Sequence, residues 1–168
     1  AGAVVKNFTS ENNGKVTLYA QWAPNQETAS VSYIDDTLDQ VITTDSLTGN
    51  YGTADTYSTQ PFISAYLAKG YKLVSDNYPD TGVIYNQAGV HQEFQVHLTH
   101  DSTTELETKT VSRRIHYTYS DGTKALEDDV AKVRFKRNVV TDKVSGDKSY
   151  GDWIAEGETQ FNRVETPT

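Results

Sequence analysis

Residues 90–100 place Val90, Phe94, Val96 and Leu98 on one parity and His91, Glu93, Gln95, His97 and Thr99 on the other. A period of two suits a pleated strand with one wet face; a helix would spread the same side chains around its circumference. The signal recurs. Ala29–Asp35 and Gln40–Leu47 read as strands, with an Asp-rich turn between them and Thr48-Gly49-Asn50 closing the second. Tyr71–Ser75 reads as another. Further on, Val111, Ile115, Tyr117 and Tyr119 alternate with Ser112, Arg114, His116 and Thr118. Ala131, Val133, Phe135 and Val139 alternate with Lys132, Arg134, Lys136 and Asn138. Arg113 and Arg137 interrupt their own apolar faces, either snorkelling at strand ends or pairing with acids. Asp121-Gly122 and Ser145-Gly146-Asp147 are turns, the second leading into Lys148–Ile154.

One segment has helical spacing. It starts at Thr59 or Gln60, with Pro61 in the first turn, where no amide bond is lost. Phe62, Ile63, Tyr66 and Leu67 line one face, Lys69 suits the last turn and Gly70 stops it. Residues 29–101 therefore run ββαββ, and one helix crossing a mixed sheet is the β-grasp pattern. The fold class expected is α+β, mostly β. A ubiquitin-like β-grasp domain over 29–101 is followed by an antiparallel β-rich second domain, without a helix, over 105–168. Ahead of them, Val4–Phe8 and Val16–Trp22 flank Asn12-Asn13-Gly14 and read as a β-hairpin within residues 1–24, with 25–28 as a linker.

The 168 residues contain no Cys and no Met. That excludes disulfides, thiol catalysis and thiolate metal sites. It also suits a surface protein that meets oxidants. The net charge is −8, and the densest basic run, Lys132–Arg137, alternates with apolar residues and reads as the wet face of a strand. No nucleic-acid partner is expected. No apolar run approaches the roughly 20 residues of a membrane helix, so no membrane insertion by this segment is expected. Nucleophile elbow, phosphate loop and zinc-helix motifs are missing, and neither an enzyme nor a cofactor is expected. His97 and His100 lie three apart on a strand and point to opposite faces, while His91 and His97 share a face about 20 Å apart along it. They read as solvated strand histidines, with no metal bound. The clusters Asp35-Asp36 with Asp39, and Asp76 with Asp80, read as turn formers, since neither has the spaced ligands of a calcium loop.

Residues 108–153 carry a more specific pattern: Thr110-Val111, Arg114-Ile115-His116-Tyr117, Asp121-Gly122-Thr123, Val133 to Arg137, Asp142 to Gly146, and Tyr150 with Trp153. This stretch resembles the second half of the Mub-type mucin-binding repeat of lactic-acid-bacterial surface adhesins. Tyr33 to Asp36, Asp45 to Gly49, Tyr57 to Thr59, Gly70 to Asp76 and Phe94 to Leu98 resemble its first half. The likeness covers Ala29 to about Thr166. The second half is expected to be cut short at Glu165–Thr168, where the family continues. Leu18–Pro24 resembles the closing strand of an internalin-type B repeat, a shorter likeness.

The resemblance implies a two-part repeat on a bacterial cell surface, anchored to the wall through other parts of its protein. It implies attachment to mucin glycoproteins and their glycans, with immunoglobulin as a further partner of some repeats. Strand addition to a free β-grasp edge would suit that protein partner. A stalk module that only spaces a distant binding tip is the alternative. For glycans, the contacts expected are Tyr78 and Tyr85 in the long loop, taken as exposed, and Tyr150 and Trp153 beside a turn. Aromatic faces stack on sugar C–H groups while polar neighbours bond hydroxyls. For each of these residues the other role is packing. Acidic mucin glycans repel a chain at −8 from afar. Binding should then rest on short-range contacts, or on basic strips such as Lys132, Arg134 and Lys136, with avidity supplied by repetition.

Overall fold

A computed structural model describes residues 12–15, 17–19 and 21–164. The elements are β1 (Gln26–Asp35), β2 (Gln40–Asn50), α1 (Gln60–Ala68), β3 (Tyr71–Asp76), β4 (Gln92–His100), β5 (Ser102–Thr118), β6 (Lys124–Asp142), β7 (Lys148–Tyr150) and β8 (Ile154–Ala155). The first sheet has the order β2-β1-β4-β3. Its central pair, β1 and β4, is parallel, and both flanking pairs are antiparallel. A parallel pair needs a crossover, which α1, β3 and the loop after β3 supply. This is the ubiquitin-like β-grasp arrangement.

Parity decides the core. Ala29, Val31 and Tyr33 of β1 and Val96 and Leu98 of β4 are fully buried, with Ile63 of α1 against them. Phe62 and Tyr66 of α1 each pack on the Tyr33 ring at 5.6 Å. The opposite face of the sheet is wet, where Ser32 bonds Thr44 and His91 bonds Thr28 and Ser30. Pro61 opens the helix as expected and Gly70, at φ +98°, ends it.

Several boundaries differ from the sequence reading. β1 starts at Gln26, inside the expected linker, because Glu27 is buried and its carboxylate accepts the Gly89 N–H at 2.7 Å. β2 runs on through the expected turn to Asn50. β4 starts at Gln92, leaving Val90 exposed. Among the described residues from 12 to 25 there is no strand, although Asn13 has the positive φ of 63° expected of that turn. Trp22 is 91% exposed. The other strand of the expected hairpin, Val4–Phe8, lies outside the described residues, as do Val16 and Ala20 of this one.

Tyr78 and Tyr85 require the larger correction. They were expected to be exposed, yet they are 6% and 1% exposed. Their loop pairs with residues 52–55 through Gly52 N–H to Tyr85 O, Tyr85 N–H to Thr53 O and Asp55 N–H to Val83 O. That pairing closes the loop over the core. The Tyr85 ring lies against Gly49, where even a methyl group would overlap it. The Tyr85 hydroxyl donates to Asp55 at 2.5 Å, and the Tyr78 hydroxyl accepts the Val83 N–H at 3.2 Å.

Asp101 alone separates β4 from β5, so residues 102–104 are strand rather than connection. The second sheet is antiparallel throughout. β5 and β6 pair from Ser102↔Asp142 to Thr118↔Lys124. β7 and β8 share the other edge of β6, interrupted by Gly151–Trp153. Gly151 N–H still reaches Asn138 O at 2.9 Å, which keeps the interrupted segment on the sheet.

Candidate functional site

The β5–β6 register sorts the second sheet into two chemically different faces. Glu107 sits opposite Arg137, Lys109 opposite Phe135 and Val111 opposite Val133 on one face, and Tyr150 of β7 pairs with Val139. Arg137 is the centre of this face. Its guanidinium carbon lies 4.3 Å from the Tyr150 ring centroid and 4.5 Å from that of Trp153. Its Nε donates to Glu107 at 2.7 Å. Lys109 Nζ stands 6.0 Å over Trp153. A guanidinium against two rings contributes about 0.5–2 kcal/mol per contact and holds the rings in one orientation. Tyr150 and Trp153 stay 55% and 36% exposed. An open cavity of about 280 Å³, lined by Glu105, Glu107, Val139, Lys148 and Tyr150, adjoins them. The face thus offers held aromatic surface, a cation and carboxylates within one short reach. Such a set can stack on an apolar ligand face and bond hydroxyls around it.

The structure brings Tyr150 and Trp153 together. It places Tyr78 and Tyr85 in the core of the other domain, where burial pushes both phenols up in pKa. The basic strip Lys132, Arg134 and Lys136 lies on the opposite face of β6, across from Ser112, Thr110 and Thr108. Lys136 pairs with Glu156 at 3.5 Å. The strip and the aromatic face therefore address different sides of the sheet.

Arg137 escaped the sequence reading as a site residue, though its interruption of an apolar parity was the visible signal. Pairing rather than snorkelling accounts for both interrupting arginines. Arg113 bonds Asp129 at 2.7 Å and the Asn162 carbonyl at 2.6 Å, under the Phe161 ring. His100 also corrects the reading, because its side chain is only 7% exposed and lies between two carboxylates. The acidic clusters serve turns: Asp35 accepts the Thr37 and Leu38 N–H groups, and Asp76 accepts that of Tyr78. Among the described residues no group of three or more His, Asp or Glu side chains could hold a metal ion. No described helix is long and apolar enough to cross a membrane.

Known proteins match both halves. The mucin binding domain family matches residues 27–100, and the Muc B2-like domain family matches residues 101–168. A crystal structure of Mub-RV is 32% identical over 84% of this chain and 82% of its own, with a TM-score of 0.77. The type 2 repeat of the mucus binding protein MUB from Lactobacillus reuteri shows the same identity and coverage, with a TM-score of 0.57. No curated protein matches the chain in sequence. A β-grasp domain joined by one residue to a long antiparallel sheet is a two-part repeat module. The chain belongs to the Mub-type mucin-binding repeats.

Proposed function

We propose that this module attaches a bacterial cell surface to mucus by holding mucin glycans on the face formed by Tyr150, Arg137 and Trp153. The observation that carries the reading is the guanidinium held between two partly exposed rings. Rings already fixed lose little conformational freedom on binding, which is the usual cost of recruiting large side chains. Sugar C–H faces stack on the rings, and the sugar hydroxyls bond Arg137 and Glu107. Tyr78 and Tyr85 take no part, since both are committed to the core. The role is non-catalytic and needs no cofactor. Affinity per module is weak, and repetition supplies the rest.

Surface-plasmon binding of the chain to intact and to enzymatically deglycosylated mucin tests this, with immunoglobulin as a separate arm. The expected result is binding to intact mucin that disappears on deglycosylation and barely changes with salt. Binding that survives deglycosylation would replace glycan with protein recognition. A stalk role is favoured by one observation, the direct run of β4 into β5 through Asp101. Absence of binding in every arm would overturn the adhesion reading and leave that role standing.

A further inference from the structure

The two halves meet around one buried histidine. His100 ends β4, and its Nε2 lies 2.9 Å from Asp35 Oδ2 at the end of β1. Its Nδ1 lies 2.6 Å from Asp142 Oδ2 at the end of β6. Each carboxylate is tied down by its own turn. Asp35 Oδ1 accepts the N–H groups of Thr37 and Leu38, and Asp142 Oδ1 accepts those of Val144 and Ser145. Tyr71 of β3 packs its ring edge-on to the imidazole at 5.2 Å and donates to Asp35 at 3.4 Å. An ionised carboxylate only accepts, and a neutral imidazole donates from one nitrogen alone. Ionised carboxylates at both ring nitrogens therefore call for the imidazolium. Asp35 belongs to the first half and Asp142 to the second, so the second proton of His100 is shared across the boundary.

Lys72, Lys143 and Asp101 pair with one another nearby, as do His97 and Asp36. Lys72 of β3 and Lys143, just past β6, both reach the Asp101 carboxylate, and the Lys143 N–H donates to the Asp101 carbonyl at 2.8 Å. Hydrogen bonds from the two lysines hold the Asp101 carboxyl far below the usual carboxylate range. His97 and Asp36 pair at 2.7 Å on the wet face. Asp147 and Lys148 line a cavity of about 440 Å³ beside His100, with Thr37 and Thr99.

We propose that His100 is a proton-operated latch: protonated, it makes the two halves one stiff body, and deprotonated, it lets them flex about Asp101. The lysine pairs and backbone bonds at Asp101 keep the halves attached in both states. Burial pulls the His100 pKa down, but the hydrogen bonds to Asp142 and Asp35 outweigh it and raise it above the ordinary 6.5. The hydrogen bond from His100 lowers the Asp142 pKa. Burial raises that of Asp35, yet His100 and the turn amides bring it below its ordinary 3.8. A raised histidine pKa gives a contribution complete below about pH 6.5 and lost as pH climbs through the raised value. Lowered carboxylate pKa values give one complete above about pH 4 and lost as pH falls through the lowered values. The latch is fully closed between those limits. The module is then a stiff unit between about pH 4 and 6.5 and a jointed one in alkaline surroundings, whatever it binds.

The test is NMR on the full chain. Imidazole signals are followed from pH 4 to 9.5, and residual dipolar couplings report the alignment of each half at pH 5.5 and pH 9. The expected result is a His100 titration above 6.5, with one shared alignment tensor at pH 5.5 and two at pH 9. Asp142→Asn removes a charge partner outside the β-grasp core, so it should lower the His100 titration and move the divergence of the tensors to lower pH. A His100 titration at or below 6.5 would overturn the latch. So would tensors that coincide at pH 9 with His100 deprotonated, or that already differ at pH 5.5.

Discussion

Replacing Gly70 by alanine puts a carbon where the two halves touch. Gly70 sits at φ +98°, and the added Cβ would lie 2.7 Å from both Cβ and the carbonyl oxygen of Lys143 and 2.8 Å from its carbonyl carbon. The positive φ alone costs an L residue about 1–2 kcal/mol. Overpacking against a neighbour that cannot move adds about 1–3 kcal/mol. Most of the close atoms are backbone, and that backbone is fixed, since the Lys143 N–H is bonded to Asp101 O. Gly70→Ala should therefore lose about 2–5 kcal/mol while the halves stay docked. If the second half swings away, only the backbone strain of about 1–2 kcal/mol remains, together with loss of contact between residue 70 and Lys143. Urea unfolding gives the free energy, and nuclear Overhauser contacts between residue 70 and Lys143 tell the two responses apart. A loss under about 0.5 kcal/mol with those contacts intact would refute the tight junction between Gly70 and Lys143.

Three further outcomes are expected. Leu98→Ala, at a fully buried position of β4, should cost about 2–5 kcal/mol by urea unfolding, and a cost under 1 would mean the core is placed wrongly. Tyr85→Phe removes the donor to Asp55 Oδ2 and should cost about 1–3 kcal/mol; a neutral effect on the unfolding midpoint would contradict that pairing. Stability of the native chain should fall as pH rises past about 6.5, because the raised His100 pKa makes folding favour the proton. His100→Gln cannot titrate, so its urea midpoint should be flatter from pH 6.5 to 9, and a decline as steep as the native one would assign the effect to another group.

What the sequence made legible is what local spacing encodes. Pro61 and Gly70 bracket α1, and the parity of Phe94, Val96 and Leu98 marks a core strand, because both signals fall within a few residues. The ends of β5 were hidden, since Ser102–Thr104 are polar on both faces and show no alternation. Tyr78 and Tyr85 misled because Pro79, Gly82 and Gly89 describe a loop backbone and say nothing of where its rings point. His100 finds its carboxylates 65 and 42 residues away, a separation that no window of sequence spans. Tyr150 and Trp153 were named from their place beside a turn. Their convergence on Arg137 needed the β5–β6–β7 register.

The most direct test of the central claim is an NMR titration of the chain with O-glycans released from mucin. Stacking should move the Trp153 indole N–H and the Arg137 Nε–H signals together and leave the Trp22 indole N–H in place, and the Arg137 shift at a given glycan concentration should weaken with Trp153→Ala. Loss of a sugar–ring contact of about 60 Å² is worth ~1.5 kcal/mol, about a tenfold loss of affinity. Shifts confined to the opposite face, around Lys132 and Arg134, or shifts that persist undiminished in Trp153→Ala, would contradict the aromatic face as the glycan site.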